Sequence, residues 1–174
     1  IEQCVEYGIT DIKLLISYKK EIIEDYFGDG DQYGATIQYI AEDTPRGTAG
    51  ALIDALPELD EQFLVVYGDT FFDIDLGSFW VFHQNQAGDA SIFLHPNDHP
   101  YDSDLVEVNS DFQVQKIHPY PHDSQWRQNL VNAAVYMFNK NALQGIDFVS
   151  DRPDIAKELF PLMLESEKKL YGYI

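Results

Sequence analysis

The chain has 174 residues, and 45% of them are apolar, which suits one domain with a hydrophobic core. It carries 30 acidic and 11 basic residues, and its net charge of -19 argues against DNA, RNA or an anionic membrane as a partner, because like charges repel. A single cysteine, Cys4, excludes an internal disulfide and favours a reducing compartment. With no recognisable signal peptide or membrane-spanning apolar run, we expect a cytoplasmic protein. Its expected macromolecular partners are limited to further copies of itself, in a homo-oligomer.

Apolar periodicity predicts alternating strands and helices in the first half of the chain. In chain order they are a strand at Asp11–Ser17, a helix at Lys19–Phe27, a strand at Ala35–Ile40, a helix at Thr48–Leu56, a strand at Phe63–Tyr67 and a helix at Leu76–Gln86. Strands and helices that alternate at this spacing are typical of parallel strands joined by right-handed crossovers.

After Gly88 the pattern changes to successive strands. These are predicted at Ala90–Leu94, Asp104–Val108, Phe112–His118 and Val131–Phe138, with a hairpin turn at Asn109-Ser110-Asp111, a helix at Asp154–Leu164 and a last strand at Lys169–Ile174. We therefore predict one α/β domain over residues 1–174, with a mixed sheet that is parallel early and antiparallel late.

Both ends of the chain carry patterns of regular structure. Ile1, Cys4 and Val5 already show helical spacing before Gly8, which we predict to be a C-terminal cap, and the chain stops within its last predicted strand. We therefore expect the chain to be a piece of a longer polypeptide.

Two carboxylates follow successive strands of the predicted parallel sheet, Glu42 after the second and Asp69 after the third. Ligands of such sheets bind beyond the carboxyl ends of the strands, so these side chains are placed towards a ligand. A turn or helix-capping role is the alternative for Asp69. Its position directly after Gly68, at the end of an apolar strand, favours a ligand or metal role.

Small residues begin the helix between these two strands, in the run Gly47-Thr48-Ala49-Gly50. Unpaired amides at a helix start, with no bulky side chain, would let a planar ligand approach the backbone closely. Helix–sheet packing is the alternative explanation for the same residues.

Two histidine pairs have a spacing that metal sites use, His95 with His99 and His118 with His122. Each pair falls at a proline-containing segment that we predict to be a loop, and no cysteine accompanies it. We favour solvated loop histidines over a zinc site. Asp73 and Asp75 are predicted to cap the following helix rather than to bind metal.

Three segments of the chain resemble the sugar 1-phosphate nucleotidyltransferases. They are Glu42-x-x-Pro45-x-Gly47-Thr48-Ala49-Gly50, similar to the base-recognition segment; Gly68-Asp69, similar to the segment of the magnesium-binding aspartate; and Asn132–Phe138, similar to the sugar-binding N-x-G-x-Y strand, with Ala134 in place of glycine. The segment from His99 to Val108 further resembles the mannose and heptose 1-phosphate guanylyltransferases.

The resemblance implies a Rossmann-like three-layer α/β/α fold with a mixed, mainly parallel central sheet. It implies attack of a sugar 1-phosphate on the α-phosphate of a nucleoside triphosphate, with Mg²⁺ as cofactor and these two small molecules as partners. The implied roles are catalysis and metal binding for Asp69; nucleotide binding for Glu42, Gly47, Thr48, Ala49 and Gly68; and sugar binding for Asn132 and Tyr120. A carboxylate accepts hydrogen bonds, and guanine offers N1–H and its 2-amino group, so Glu42 favours GTP.

The chain also departs from the family pattern. The Gly-rich loop that carries the triphosphate-binding arginine and lysine, and the second magnesium aspartate, would lie outside residues 1–174, and Tyr120 stands about where a lysine is expected. We therefore expect these residues alone to be inactive. Two alternatives stay open: a glucose 1-phosphate thymidylyl- or uridylyltransferase, and a degenerate, regulatory nucleotide-sugar-binding domain.

Overall fold

A computed structural model describes residues 1–98, 102–123 and 127–174. His99, which the sequence analysis paired with His95, lies outside the described residues. The helices and strands, in chain order, are α1 Glu2–Glu6, β1 Asp11–Ile16, α2 Lys20–Phe27, β2 Thr36–Ala41, α3 Gly47–Ala55, β3 Gln62–Val66, α4 Leu76–Gln86, β4 Ala90–Pro96, β5 Leu105–Val108, β6 Val114–His118, β7 Leu130–Asn139, α5 Phe160–Glu165 and β8 Leu170–Tyr173. A π-helical turn at Ile155–Leu159 continues into α5.

The strands form two sheets. β1 and β2 pair in parallel, and the larger sheet has the order β6-β5-β7-β4-β8, with β3 also paired to β7. β4 and β8 pair in parallel, whereas β7 is antiparallel to β3, β4 and β5. The predicted mixed α/β architecture is confirmed.

The parallel pairing expected among the first three strands is found for β1 and β2 only. β3 instead lies antiparallel to β7, with Gln62 opposite Asn139 and Val66 opposite Val135. The partner strand lies about seventy residues further along the chain. The local sequence around β3 therefore does not predict this pairing.

β7 separates two hydrophobic cores because its side chains alternate between the faces of the sheet. Tyr136 and Phe138 lie in the core that contains Phe160 of α5, and the Phe138 and Phe160 rings stack at a centroid distance of 5.9 Å. Val135 and Met137 face the opposite core with Phe79 of α4. Helices therefore cover both faces, which makes the three layers.

Several local predictions are confirmed. Gly8 has φ +78° and donates its N–H to the Val5 carbonyl, so it ends α1 as predicted. The hairpin turn between β5 and β6 is closed by hydrogen bonds from the Asn109 amide to Gln113 O and from the Phe112 amide to Asn109 O.

Within the described ranges, none of the helices is both long and apolar enough to span a bilayer.

β7 contains one residue in a left-handed conformation, Ala134, with φ +56°. The Asn132 side chain holds this conformation, because its Oδ1 accepts the Ala134 amide at 3.0 Å. The Ala134 carbonyl in turn accepts the amide of Tyr67 at 3.3 Å. An alanine here is strained, whereas glycine reaches this region without a steric penalty.

We predict that Ala134→Gly raises the free energy of unfolding by about 0.5–1 kcal/mol, because it relieves this strain. The matched control is Ala133→Gly, at a neighbouring position of the same strand without a positive φ, which should lower stability by a similar amount. Urea unfolding of both variants measures the difference. A loss of stability in Ala134→Gly equal to that of the control would contradict the interpretation.

His83 of α4 is buried, with 1% of its surface exposed, and its Nδ1 lies 2.9 Å from the Ser91 hydroxyl of β4. Burial lowers the pKa of His83 below its ordinary value of 6.5, because a charged imidazolium is poorly solvated there. The folded protein therefore keeps His83 neutral at a pH at which the unfolded chain binds a proton.

This difference predicts a pH-dependent stability. The contribution of His83 is fully present above about pH 6.5 and is lost as the pH falls, because only the unfolded state gains the proton. The unfolding free energy should fall more steeply between about pH 7.5 and about pH 5.5 in the wild type than in His83→Gln. His95→Gln, at an exposed position, is the control and should keep the wild-type slope; equal slopes in all three proteins would refute the prediction.

Candidate functional site

A cleft of about 490 Å³ opens at the carboxyl ends of β1 and β2, beside the first turns of α3. Its walls combine aliphatic and charged side chains, from Leu15, Ile40, Ala41, Glu42, Asp43, Thr44, Arg46, Ala51 and Asp54. Apolar walls with a few convergent polar groups are typical of small-molecule sites, and the sheet topology places such sites at this edge. Glu42 thus lies where the sequence predicted a ligand.

The turn that carries Glu42 is fixed on both sides. Its amide donates to Ile16 O at 2.9 Å, and its carbonyl accepts the Ser17 hydroxyl at 3.3 Å, so the end of β1 holds the end of β2. The Glu42 Oε1 accepts the amide of Arg46 at 3.3 Å. The carboxylate is therefore held over the turn that leads into α3.

The predicted run of small residues at the start of α3 packs against the segment before the π-helical turn. Gly47 has φ +76°, and a Cβ there would lie 2.5 Å from Pro153 O, so no larger residue fits. The Ala49 amide donates to the same carbonyl at 3.0 Å. Of the amides expected to be open to a ligand, that of Ala49 is thus occupied by the protein itself, and the packing explanation accounts for these contacts.

The Thr48 side chain makes two hydrogen bonds to the end of the same segment. Its hydroxyl donates to Asp154 Oδ2 at 3.0 Å and accepts the Ile155 amide at 2.9 Å. Asp154 also caps the helical segment, since its Oδ1 accepts the amides of Ala156 and Lys157. Asp154 did not stand out in the sequence as a site residue, although an aspartate directly before a helical pattern is the ordinary signal of a cap.

Two tyrosines continue this network into the sheet. Hydroxyls of Thr48 and Tyr136 interact with the Tyr67 hydroxyl, and burial raises the pKa of Tyr67 above its usual value. Burial also raises the pKa of Tyr136 strongly, so both phenols stay protonated. The Asn132 Nδ2 donates to Tyr136 Oη at 2.9 Å. Thr48 of the predicted nucleotide segment and Asn132 of the predicted sugar segment are thereby joined.

The two residues predicted to bind sugar are held by one neighbour, Asp104. The Tyr120 amide donates to Asp104 Oδ1 at 2.7 Å, and the Asn132 amide donates to the Asp104 carbonyl at 3.0 Å. Tyr120 is 47% exposed, so its ring is available to a ligand. Asp104 was not singled out in the sequence, because both of its contacts depend on the tertiary fold.

Asp69 lies after β3, exposed, and it does not line the cleft of Glu42. Gly68 beside it leaves open space, since a Cβ there would meet no atom within 4 Å. An exposed carboxylate with room around it suits Mg²⁺, which binds through one or two carboxylates together with phosphate oxygens and water. In the described part of the chain, no group of three or more His, Cys, Asp or Glu side chains converges, so Asp69 would form a metal site only with a ligand.

Of the remaining predictions on acidic residues and histidines, some are confirmed and others are wrong. Asp75 caps α4 as predicted, because its carboxylate accepts the Ser78 hydroxyl at 2.6 Å and the Ser78 amide at 2.9 Å, and these two hydrogen bonds lower its pKa. The loop placement is wrong for His95, which lies in β4. For His118 the predicted strand Phe112–His118 is correct and the loop placement is wrong, because His118 is the last residue of β6. His118 Nε2 pairs with Glu107 at 2.8 Å, whereas His122 Nε2 contacts the Ser103 carbonyl, so this pair shares no common centre.

Curated relatives are similar over almost the whole chain. It is 28% identical over 169 residues to a mannose-1-phosphate guanylyltransferase of Mycobacterium tuberculosis, covering 96% of this chain and 46% of that protein. It is 28% identical over 180 residues to the mannose-1-phosphate guanyltransferase of Saccharomyces cerevisiae, covering 99% of this chain and 48% of that protein. The chain thus spans about half the length of the curated relatives it matches.

Solved structures confirm the Rossmann-like fold. HddC from Yersinia pseudotuberculosis superposes with a TM-score of 0.79 at 22% identity, covering 99% of this chain and 72% of that one. A candidate glucose-1-phosphate thymidylyltransferase from Bacillus anthracis superposes with a TM-score of 0.84 at 16% identity, covering 99% of this chain and 70% of that one. Residues 1–174 match the family model described as nucleotidyl transferase, and the chain therefore belongs to the nucleotidyl transferase family.

Proposed function

We propose that the protein carrying this chain transfers a nucleoside monophosphate, from GTP by preference, to a sugar 1-phosphate of the mannose or heptose type. The products are a nucleoside diphosphate sugar and pyrophosphate. The observation that carries the proposal is the Glu42 carboxylate, held at a cleft with aliphatic and charged walls beyond the carboxyl ends of β1 and β2. The partners are small molecules. The cytoplasm is the proposed location.

The cleft suits a purine base. Leu15, Ile40 and Ala51 provide apolar surface against which a planar ring packs, and the volume of about 490 Å³ accommodates a base with its ribose. The Glu42 carboxylate accepts hydrogen bonds only, so it complements the N1–H and 2-amino donors of guanine. The relatives named as mannose-1-phosphate guanylyltransferases, and the HddC structure in complex with GMP-PN, support a guanine nucleotide.

Asp69 and Gly68 suit the phosphate side of the reaction. We assign Asp69 to Mg²⁺, which when bound supplies the positive charge that phosphoryl transfer requires. Gly68 leaves space beside the exposed Asp69 carboxylate, since a Cβ there would meet no atom within 4 Å, so a phosphate and a metal ion could approach it. No covalent enzyme intermediate is needed when the sugar phosphate oxygen attacks in line.

Asn132 and Tyr120 are assigned to the sugar. Asn132 uses one amide hydrogen for Tyr136 and accepts one hydrogen bond from Ala134, so a second N–H and a second lone pair are left for sugar hydroxyls. The exposed Tyr120 ring would offer a flat face to the pyranose. The structural similarity to the Bacillus anthracis protein keeps glucose 1-phosphate with dTTP as the second candidate.

The base assignment predicts a selective loss in Glu42→Gln. In the full-length protein that contains this chain, kcat/KM for GTP should fall about tenfold or more, because an amide presents an N–H towards the guanine donors. Glu61→Gln, which is exposed and outside the cleft, is the matched control and should behave as the wild type. Pyrophosphate release with mannose 1-phosphate or heptose 1-phosphate and each of GTP, dTTP, UTP and CTP measures the preference. Activity with dTTP alone would overturn the assignment.

The metal assignment predicts that Asp69→Asn requires far more Mg²⁺. Loss of the anionic ligand should raise the Mg²⁺ concentration for half-maximal pyrophosphate release by about tenfold or more. Asp60→Asn is the control, because it changes the same charge at a position just before β3, at the opposite end of that strand. An unchanged Mg²⁺ dependence in Asp69→Asn would remove Asp69 from the metal site.

Residues 1–174 produced alone are expected to release no pyrophosphate.

A further inference from the structure

We propose that Arg46 is a specificity-determining residue, which reads the acceptor edge of guanine while Glu42 reads its donor edge. The inference rests on the proposed function, because it concerns the base in the same cleft. Arg46 lies at the start of α3, four residues after Glu42, and both side chains line the cleft. The pair would therefore present an anion and a cation to the same planar ligand.

The Arg46 side chain is held in place by the surface of α3. A Cβ at Gly50 would lie 2.8 Å from the Cβ of Arg46, so only glycine leaves room for the base of this side chain. One turn further, Asp54 accepts a hydrogen bond from Nη1 of Arg46. The two side chains are 50% and 40% exposed, and a pair so exposed contributes little to stability. Its main effect is to orient the guanidinium along the cleft.

The guanidinium keeps hydrogen-bonding capacity after this pairing. Arginine has five N–H donors, of which one is used by Asp54, and its plane is rigid. The Arg46 amide donates to the Glu42 carboxylate, so the turn holds both groups together. Donors of Arg46 and acceptors of Glu42 are thus offered side by side from one short turn.

The charges around the cleft give Arg46 its selectivity. Glu42, Asp43 and Asp54 line the cleft as carboxylates, and Arg46 is the one cationic side chain among the described residues that line it. Carboxylates repel acceptor atoms of a ligand, so acceptors on the base would be directed to Arg46. The site therefore favours a base with two donors on one side and acceptors on the next.

Guanine has this arrangement. Its N1–H and 2-amino groups are donors, and the adjacent O6 and N7 are acceptors that arginine binds in a bidentate manner. Adenine offers an amino donor where guanine has O6, and a bare acceptor at N1, which opposes both residues. The combination of Glu42 and Arg46 thus distinguishes guanine from adenine at two positions, whereas Glu42 alone reads only the donor edge.

Nucleotide analogues separate the two contributions in the full-length protein that contains this chain. 7-Deaza-GTP lacks the N7 acceptor, 6-thio-GTP weakens the O6 acceptor, and ITP lacks the 2-amino donor. The wild type should use each analogue about tenfold less well than GTP, measured as kcat/KM for pyrophosphate release. Arg46→Gln should lose the discrimination against 7-deaza-GTP and 6-thio-GTP, and keep the discrimination against ITP.

Two further variants make the result specific. Asp54→Asn keeps Arg46 but removes its anionic partner, so it should lose part of the same discrimination. Lys116→Gln removes one positive charge from an exposed position of β6 and should discriminate as the wild type does. Wild-type discrimination against all three analogues in Arg46→Gln would overturn the inference while leaving the guanine preference intact. A wild type that does not prefer GTP would overturn the proposed function, and the role of Arg46 with it.

Discussion

Strand β7 is the constraint on which the rest of the structure depends. It is ten residues long and pairs with β4 along one edge and with β3 and β5 along the other. Its alternating side chains enter both hydrophobic cores. A shift of one residue in the register of β7 would therefore move each side chain into the opposite core. The pairing also sets where β3 ends, and therefore where Asp69 emerges from the sheet.

The same strand begins a hydrogen-bonded chain that runs through the candidate site. Asn132 contacts Tyr136, and Tyr136 and Thr48 both contact Tyr67, while Thr48 is bound to Asp154. Tyr136 is buried and Thr48 and Tyr67 are half-buried, and hydroxyls withdrawn from water in this way are costly to leave unpaired. The proposed nucleotide and sugar segments are thus joined by one hydrogen-bonded network. The strained Ala134 next to Asn132 is retained within that network.

Several parts of the site could be predicted from the sequence, and others could not. Glu42 can be proposed as a ligand residue because a carboxylate directly after an apolar strand lies where α/β sheets bind ligands, and Glu42 lines a cleft in the structure. Asp104 and Asp154 were missed as site residues because their partners are remote, Asp154 lying 106 residues from Thr48. The loop predicted at His95 is wrong because a proline next to a histidine suggested a break, whereas β4 continues to Pro96.

The sequence by itself determined most of the helices and strands of this protein, their alternation and the residue types of the proposed site, because periodicity and turn chemistry act over a few residues. It also supplied the opposite charges of Glu42 and Arg46 within one turn. Only the tertiary structure decided that β3 pairs with β7, that Thr48 and Ala49 are bound by the segment around Pro153, and that Arg46 is directed along α3 by Asp54. The partners of β3, Thr48 and Ala49 are distant in sequence, so these contacts form only when the chain folds. The direction of the Arg46 side chain is decided by the partner that it meets on the surface of the folded helix.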